Sequence, residues 1–251
     1  MGSVNVKGGR WARQCVVALC GFTLGMGMLI GMVPQGLASE SPVANTVSNT
    51  ATESSVAETL AKHTDDGWRD ARGDRQVLAT TLKAGLITRA NFVMRRTFHA
   101  QGLTLTSRGD VDATNPNEWV WNQTRPFPQR YRVKGATITV ERAGAAPEVM
   151  DLNGNPQVAQ FASLFKGLVT LDVSAIETHF TVDAFLRDPK GKGWIAVLHP
   201  TEALLAKAFR QVVLRGNPTL SAIELLTPDG DATAVTLSPY TTAESATAPT
   251  P

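Results

Sequence analysis

Between Gly85 and Leu237 apolar residues recur mostly at every second position, the two-residue period of strands with one buried face. Arg130-Tyr131-Arg132-Val133-Lys134 alternates strictly, turns at Gly135 and resumes as Thr137-Ile138-Thr139-Val140-Glu141. Tyr131, Val133, Ile138 and Val140 therefore share one face, and the other is basic and hydroxylic. Further strands are expected at Ile87 to Ala100, Thr106 to Ala113, Glu118 to Gln123, Thr181 to Leu186, Trp194 to His199 and Gln211 to Arg215. Leu220 to Leu226 should pair with Ala232 to Leu237 across Thr227-Pro228-Asp229-Gly230, which has Pro and Gly where a type I turn favours them. Helical spacing appears in three places. Ser55 to Glu58 has the S-x-x-E form of a capping box, and Asp74 can cap a helix with Val77, Leu78, Thr81 and Leu82 on one face and Gly85 past its end. Between Pro156 and Phe180, Val158, Phe161, Ala162, Phe165, Leu168 and Val169 form an apolar stripe, and Asp172 can cap a shorter helix ending near His179. The pattern predicts a mainly β, α+β fold: a curved antiparallel sheet with a helical piece covering its concave face.

Within that frame one stretch concentrates large apolar side chains. Trp119 and Trp121 stand two residues apart on a strand and so share a face, bounded by Asn115-Pro116 and Arg125-Pro126. On the strand Ala90-Asn91-Phe92-Val93-Met94, the residues Phe92, Met94 and Phe98 share a parity that only Arg96 interrupts. These segments resemble the LolA-like outer-membrane lipoprotein carrier family, whose pattern runs A-x-F-x-Q, G-D-L, R-P, F-x-W and P at these intervals. Gly109, Asp110, Pro116, Trp121 and Pro126 match without a gap, whereas Met94 replaces Gln, Val111 replaces Leu and Trp119 replaces Phe. Asn115 stands where the family has an Arg associated with holding a helical lid closed. The resemblance implies an incomplete β-barrel with a helical lid over an apolar cavity. Phe92, Met94, Phe98, Val111, Trp119 and Trp121 would line its sheet side, with Phe161, Phe165 and Leu168 on the lid and Asn115 at the lid-control position. By pattern alone the same aromatic residues also suit an ordinary core.

Charge separates the chain into a basic leader and a near-neutral body. There are 24 basic and 22 acidic residues, and Lys7, Arg10 and Arg13 precede the first acid, Glu40. Without them 21 basic residues face 22 acidic ones, a net charge of −1 that argues against nucleic acid as partner. An apolar run of nineteen residues from Cys15 to Val33, followed by Gly36-Leu37-Ala38, has the form of a signal peptide cleaved after Ala38. The run is also long enough for an uncleaved anchor, and Gly21-x-x-x-Gly25 and Gly27-x-x-x-Gly31 would suit a packed span. Export to the periplasm follows in either case. Both cysteines, Cys15 and Cys20, lie in the leader, so the exported chain must be stabilised by its core rather than by disulfides. Residues 39–54 and 240–251 consist mainly of Ser, Thr, Ala, Pro and Glu and are read as a disordered linker and tail around one domain, 55–239.

Catalytic and metal patterns are absent. His63, His99, His179 and His199 show no metal spacing, and neither a G-x-S-x-G elbow nor a P-loop occurs. Arg130, Arg132 and Lys134 form a basic row that is either a solvated face or a docking edge for an acidic partner or lipid headgroup. The function expected is that of a monomeric, cofactor-free periplasmic carrier, not an enzyme. It would take an acylated lipoprotein or lipid from an inner-membrane exporter to an outer-membrane acceptor. The alternative is a periplasmic lipid-sensing regulatory module of the same fold.

Overall fold

The computed structural model describes residues 50–115, 117–154 and 156–241, without the side chains of residues 50–56, 156–158, 160, 161, 165 and 169. The leader, the linker up to residue 49, Pro116 and the tail beyond Thr241 lie outside the described residues. In chain order the elements are α1 (Thr50–Asp65), β1 (Arg69–Asp70), α2 (Arg75–Ala84), β2 (Arg89–Phe98), β3 (Leu103–Asp112), β4 (Glu118–Arg125), β5 (Gln129–Lys134), β6 (Thr137–Arg142) and β7 (Glu148–Asp151). There follow α3 (Pro156–Val169), α4 (Val173–His179), β8 (Phe180–Arg187), β9 (Trp194–Pro200), α5 (Ala203–Ala208), β10 (Gln211–Gly216), β11 (Leu220–Leu226) and β12 (Ala232–Pro239).

All twelve strands form one sheet, ordered β1-β8-β9-β10-β11-β12-β2-β3-β4-β5-β6-β7, and every pairing is antiparallel. The edges β1 and β7 do not pair with each other, so the sheet is open. A single core cluster takes in Phe180 of β8, Leu214 of β10, Val235 of β12, Phe92 of β2, Trp121 of β4 and Ile138 of β6, together with Leu164 and Leu168 of α3. Strands lie about 4.8 Å apart, so residues this widely spread across the sheet meet one helix only if the sheet curls around it.

The local signals act as their chemistry requires. Asp74 caps α2 by accepting from Val77 N at 3.0 Å, and Asp172 caps α4 by accepting from Ser174 N and Ala175 N. Gly230, with φ of 86°, donates to Thr227 O at 3.1 Å and closes the β11–β12 turn. Four elements depart from the sequence reading. α1 begins at Thr50, five residues before the Ser55 capping position and within the stretch read as linker. β7 and the two-residue β1 are too short to show a period, and α5 spans only six residues.

The other departure is in β9. Trp194, Ala196 and Leu198 face the main core, while Ile195 and Val197 join Leu186 and Val213 in a second cluster on the opposite side of the sheet. Leu60 of α1 and Trp68 cover that second cluster. The sheet is thus coated on both faces at this end, and β9 reads as a continuous apolar run rather than an alternation.

Candidate ligand-binding face

The aromatic wall assembles on the concave face of β2, β3 and β4. Phe92 and Met94 on β2, Val111 on β3 and Trp119 and Trp121 on β4 are all buried and belong to the main core cluster. Phe92 stacks on Trp121 with ring centroids 3.9 Å apart and planes at 23°. That contact requires Gly109. A Cβ there would fall 1.9 Å from the Asn122 carbonyl oxygen and 2.8 Å from Phe92 Cζ, so β4 and the Phe92 ring occupy the space of a side chain. Next to it Asp110 Oδ1 accepts from Asn122 Nδ2 at 2.8 Å, binding β3 to β4 on the outer face.

The wall runs on into β5 and β6 through Tyr131, Val133, Ile138 and Val140, the apolar face of the sequence-predicted hairpin. At its opposite margin it meets two buried polar residues, Ser107 and Gln123, of which Gln123 donates from Nε2 to Phe127 O at 2.9 Å. Phe98 stands apart from the wall. It is half-buried near the end of β2, with the Arg96 guanidinium 4.5 Å from its ring centroid.

α3 and α4 supply the facing layer. Leu168 lies in the main cluster with Ala162 and Leu164. Leu164 was not part of the predicted stripe, and at 100° per residue it projects about 200° from Ala162, so α3 is enclosed on more than one side. The side chains of Phe161 and Phe165 lie outside those described. α3 approaches α4 closely at Gly167, where a Cβ would come 2.8 Å from Ala175 Cβ. The connecting Leu171 is buried with φ of 49°, a left-handed conformation that an L side chain adopts only at some cost. A bidentate ion pair, Arg75 Nε and Nη2 on Glu177 at 2.8 to 3.0 Å, fastens α4 to α2.

Asn115 lies in the β3–β4 connection, which consists of two successive side-chain turns. Asp112 Oδ1 accepts from Thr114 N at 3.0 Å and Asn115 Oδ1 accepts from Asn117 N at 2.9 Å. The Thr114 backbone amide and side chain, with a smaller contribution from Arg89, hold the Asp112 carboxyl below its ordinary pKa. Asn115 is solvent-exposed and its amide oxygen is engaged within its own turn.

Polar candidates elsewhere are largely engaged within the fold. Of the basic row, Arg132 and Lys134 both reach Glu118, at 3.4 and 4.0 Å. His179 Nδ1 pairs with Glu202 at 2.7 Å and His199 Nδ1 with Asp183 at 2.5 Å, and no group able to hold a metal ion occurs among the described residues. A groove of about 370 Å³ lies at α2 rather than over the wall, lined by Gln76, Val77, Thr80, Thr81, Arg187 and Lys192 among others. The wall itself is mostly hydrocarbon and aromatic ring, a surface suited to excluding water from apolar material.

A family model described as outer membrane lipoprotein carrier protein LolA-like matches residues 70–250. No curated protein matches the chain in sequence. Among solved structures, a LolA superfamily protein from Nitrosomonas europaea is 11% identical with a TM-score of 0.35, covering 68% of this chain and 95% of its own. LprF from Mycobacterium bovis is 14% identical with a TM-score of 0.35, covering 66% and 93%. The MucA/MucB complex of Pseudomonas aeruginosa gives 8% identity and a TM-score of 0.34, covering 69% and 60%.

Proposed function

Because the chain belongs to the LolA-like family of outer membrane lipoprotein carriers, we propose that it is a periplasmic carrier that shields the acyl chains of a lipoprotein or lipid between the two membranes. The observation that carries this reading is the aromatic wall: Phe92, Met94, Val111, Trp119 and Trp121 brought together on the concave side of an open sheet, opposite α3. Moving a sixteen-carbon chain through water exposes apolar surface worth about 0.8 kcal/mol per methylene, on the order of 12 kcal/mol in all. An enclosed apolar face removes that cost.

In this reading α3, carrying Phe161, Phe165 and Leu168, is the lid, Phe98 lines the outer end of the cavity, and Asn115 replaces the Arg that secures the lid in the family. The donor is an inner-membrane exporter and the acceptor an outer-membrane component. The leader directs export and is removed after Ala38. Among the described residues no helix is long and apolar enough to cross a membrane.

Mass spectrometry of the purified protein should detect bound acyl lipid, and the delipidated protein should bind a fluorescent fatty acid. Trp119→Ala should weaken that binding and cost roughly 3 kcal/mol or more of stability, because a buried Trp fills volume as well as contacting ligand. Unchanged affinity in the folded variant would make Trp119 an ordinary core residue and defeat the cavity.

A further inference from the structure

At one end of the sheet the apolar surface runs past the core into solvent. Leu103 is 44% exposed, Leu105 46% and Phe127 70%. Leu103 pairs with Phe98 and Leu105 with Arg96, and strand alternation puts both leucines on the concave face with Ser107 and Val111. Phe127 belongs to the β4–β5 turn at the same end, where its carbonyl receives the Gln123 amide.

Set back from these tips is a group of guanidiniums on the outer face. Arg108 and Arg125 are direct cross-strand partners, and Arg95, opposite Thr106, is diagonal to Arg108. Like charges placed opposite each other destabilise a sheet. Elsewhere Arg72, Arg75, Arg89, Arg132, Arg142 and Arg215 each have a carboxylate partner. Arg95, Arg108 and Arg125 form no ion pair among the described residues. No acid occurs from Ala90 to Gly109 or from Asn122 to Lys134. Of the acids nearby, Asp110 is engaged by Asn122 and Asp231 by His99 N, while Asp229 in the β11–β12 turn is exposed.

We infer that this end docks on an anionic bilayer surface, with Leu103, Leu105 and Phe127 entering the interface and Arg95, Arg108 and Arg125 meeting lipid phosphates. Arg108 lies three residues behind Leu105, about 10 Å at strand rise, which matches the depth between buried interfacial side chains and headgroups. Separate apolar tips backed by cations fit this layered solvent better than they fit the continuous surface of an acidic protein. The inference rests on the carrier reading only in placing the open end of the wall beside the membrane that gives or receives cargo.

The test is co-sedimentation of the purified exported chain with phosphatidylcholine vesicles, with and without phosphatidylglycerol, at low and raised salt. Binding should require phosphatidylglycerol and weaken with salt. Arg108→Gln and Arg125→Gln should each cost about fivefold, and Phe127→Ser should cost at least as much, with fatty-acid affinity unchanged. No binding by the unmutated chain, or binding indifferent to both sets of variants, overturns the inference. So does self-association that these variants abolish, which would make this end a contact between copies. Failure of fatty-acid binding in the unmutated protein would instead defeat the carrier reading and leave the vesicle result standing.

Discussion

Gly109 and Asn115 act in opposite ways at the two ends of the same short motif. Gly109 is required by what surrounds it, since any Cβ would collide with the backbone of β4 and with Phe92. The sequence marks the position but not the reason, because neither the neighbouring strand's path nor the ring that covers the glycine is visible along one chain. Asn115 is set by what it builds: a short side chain that closes a turn onto Asn117 N. An Arg would give up that turn but carry five donors and a permanent charge able to bind orphan carbonyls at a helix end. If the lid proposal holds, Asn115→Arg should slow spontaneous uptake of a fluorescent fatty acid in stopped flow, because the empty protein would close more firmly. Equal uptake rates in the two proteins would detach position 115 from the lid. The basic row has a plainer outcome, since Glu118 on the adjacent strand draws Arg132 and Lys134 to itself.

Elements whose signals are local proved readable, and those fixed by distant partners did not. Asp74 and Asp172 announce α2 and α4 because a cap needs only the next turn of chain. The β5–β6 hairpin follows from alternation and a glycine with φ of 56° at its turn. In contrast, Ile195 and Val197 look like interruptions of a one-sided strand until Leu60 and Trp68, over a hundred residues earlier, cover them. α3 is buried on more than one side, and Gly167 marks where α4 passes close by. Gly167→Ala isolates that contact. Helix propensity should gain about 1 kcal/mol, whereas overpacking against Ala175 should cost about 1 to 3 kcal/mol. The net effect in urea unfolding should therefore be destabilising, and Gly167→Val should be worse because a β-branched residue brings crowding without the propensity gain. A stabilised Gly167→Ala protein would mean that α3 and α4 separate readily.

For the whole molecule, strand content, antiparallel order, helical cover and, through the family resemblance, an unclosed sheet were legible, while the number of strands was not, because edge pieces such as Arg69–Asp70 carry no pattern. The leader proposal is settled by intact-mass analysis of protein from the periplasm, which should give a chain starting near Ser39. A mass retaining Met1 to Ala38 would favour an anchored regulator over a free carrier. The edges β1 and β7, which pair with no further strand among the described residues, have a consequence of their own. In a closed barrel, strand number and stagger fix the girth, and so the size of guest that fits. A sheet that does not close on itself has no such constraint, and it can splay or tighten by small changes of twist spread over eleven pairings. Capacity then becomes elastic, and affinity for fatty acids should climb steadily with chain length in a displacement series instead of breaking off at one preferred length.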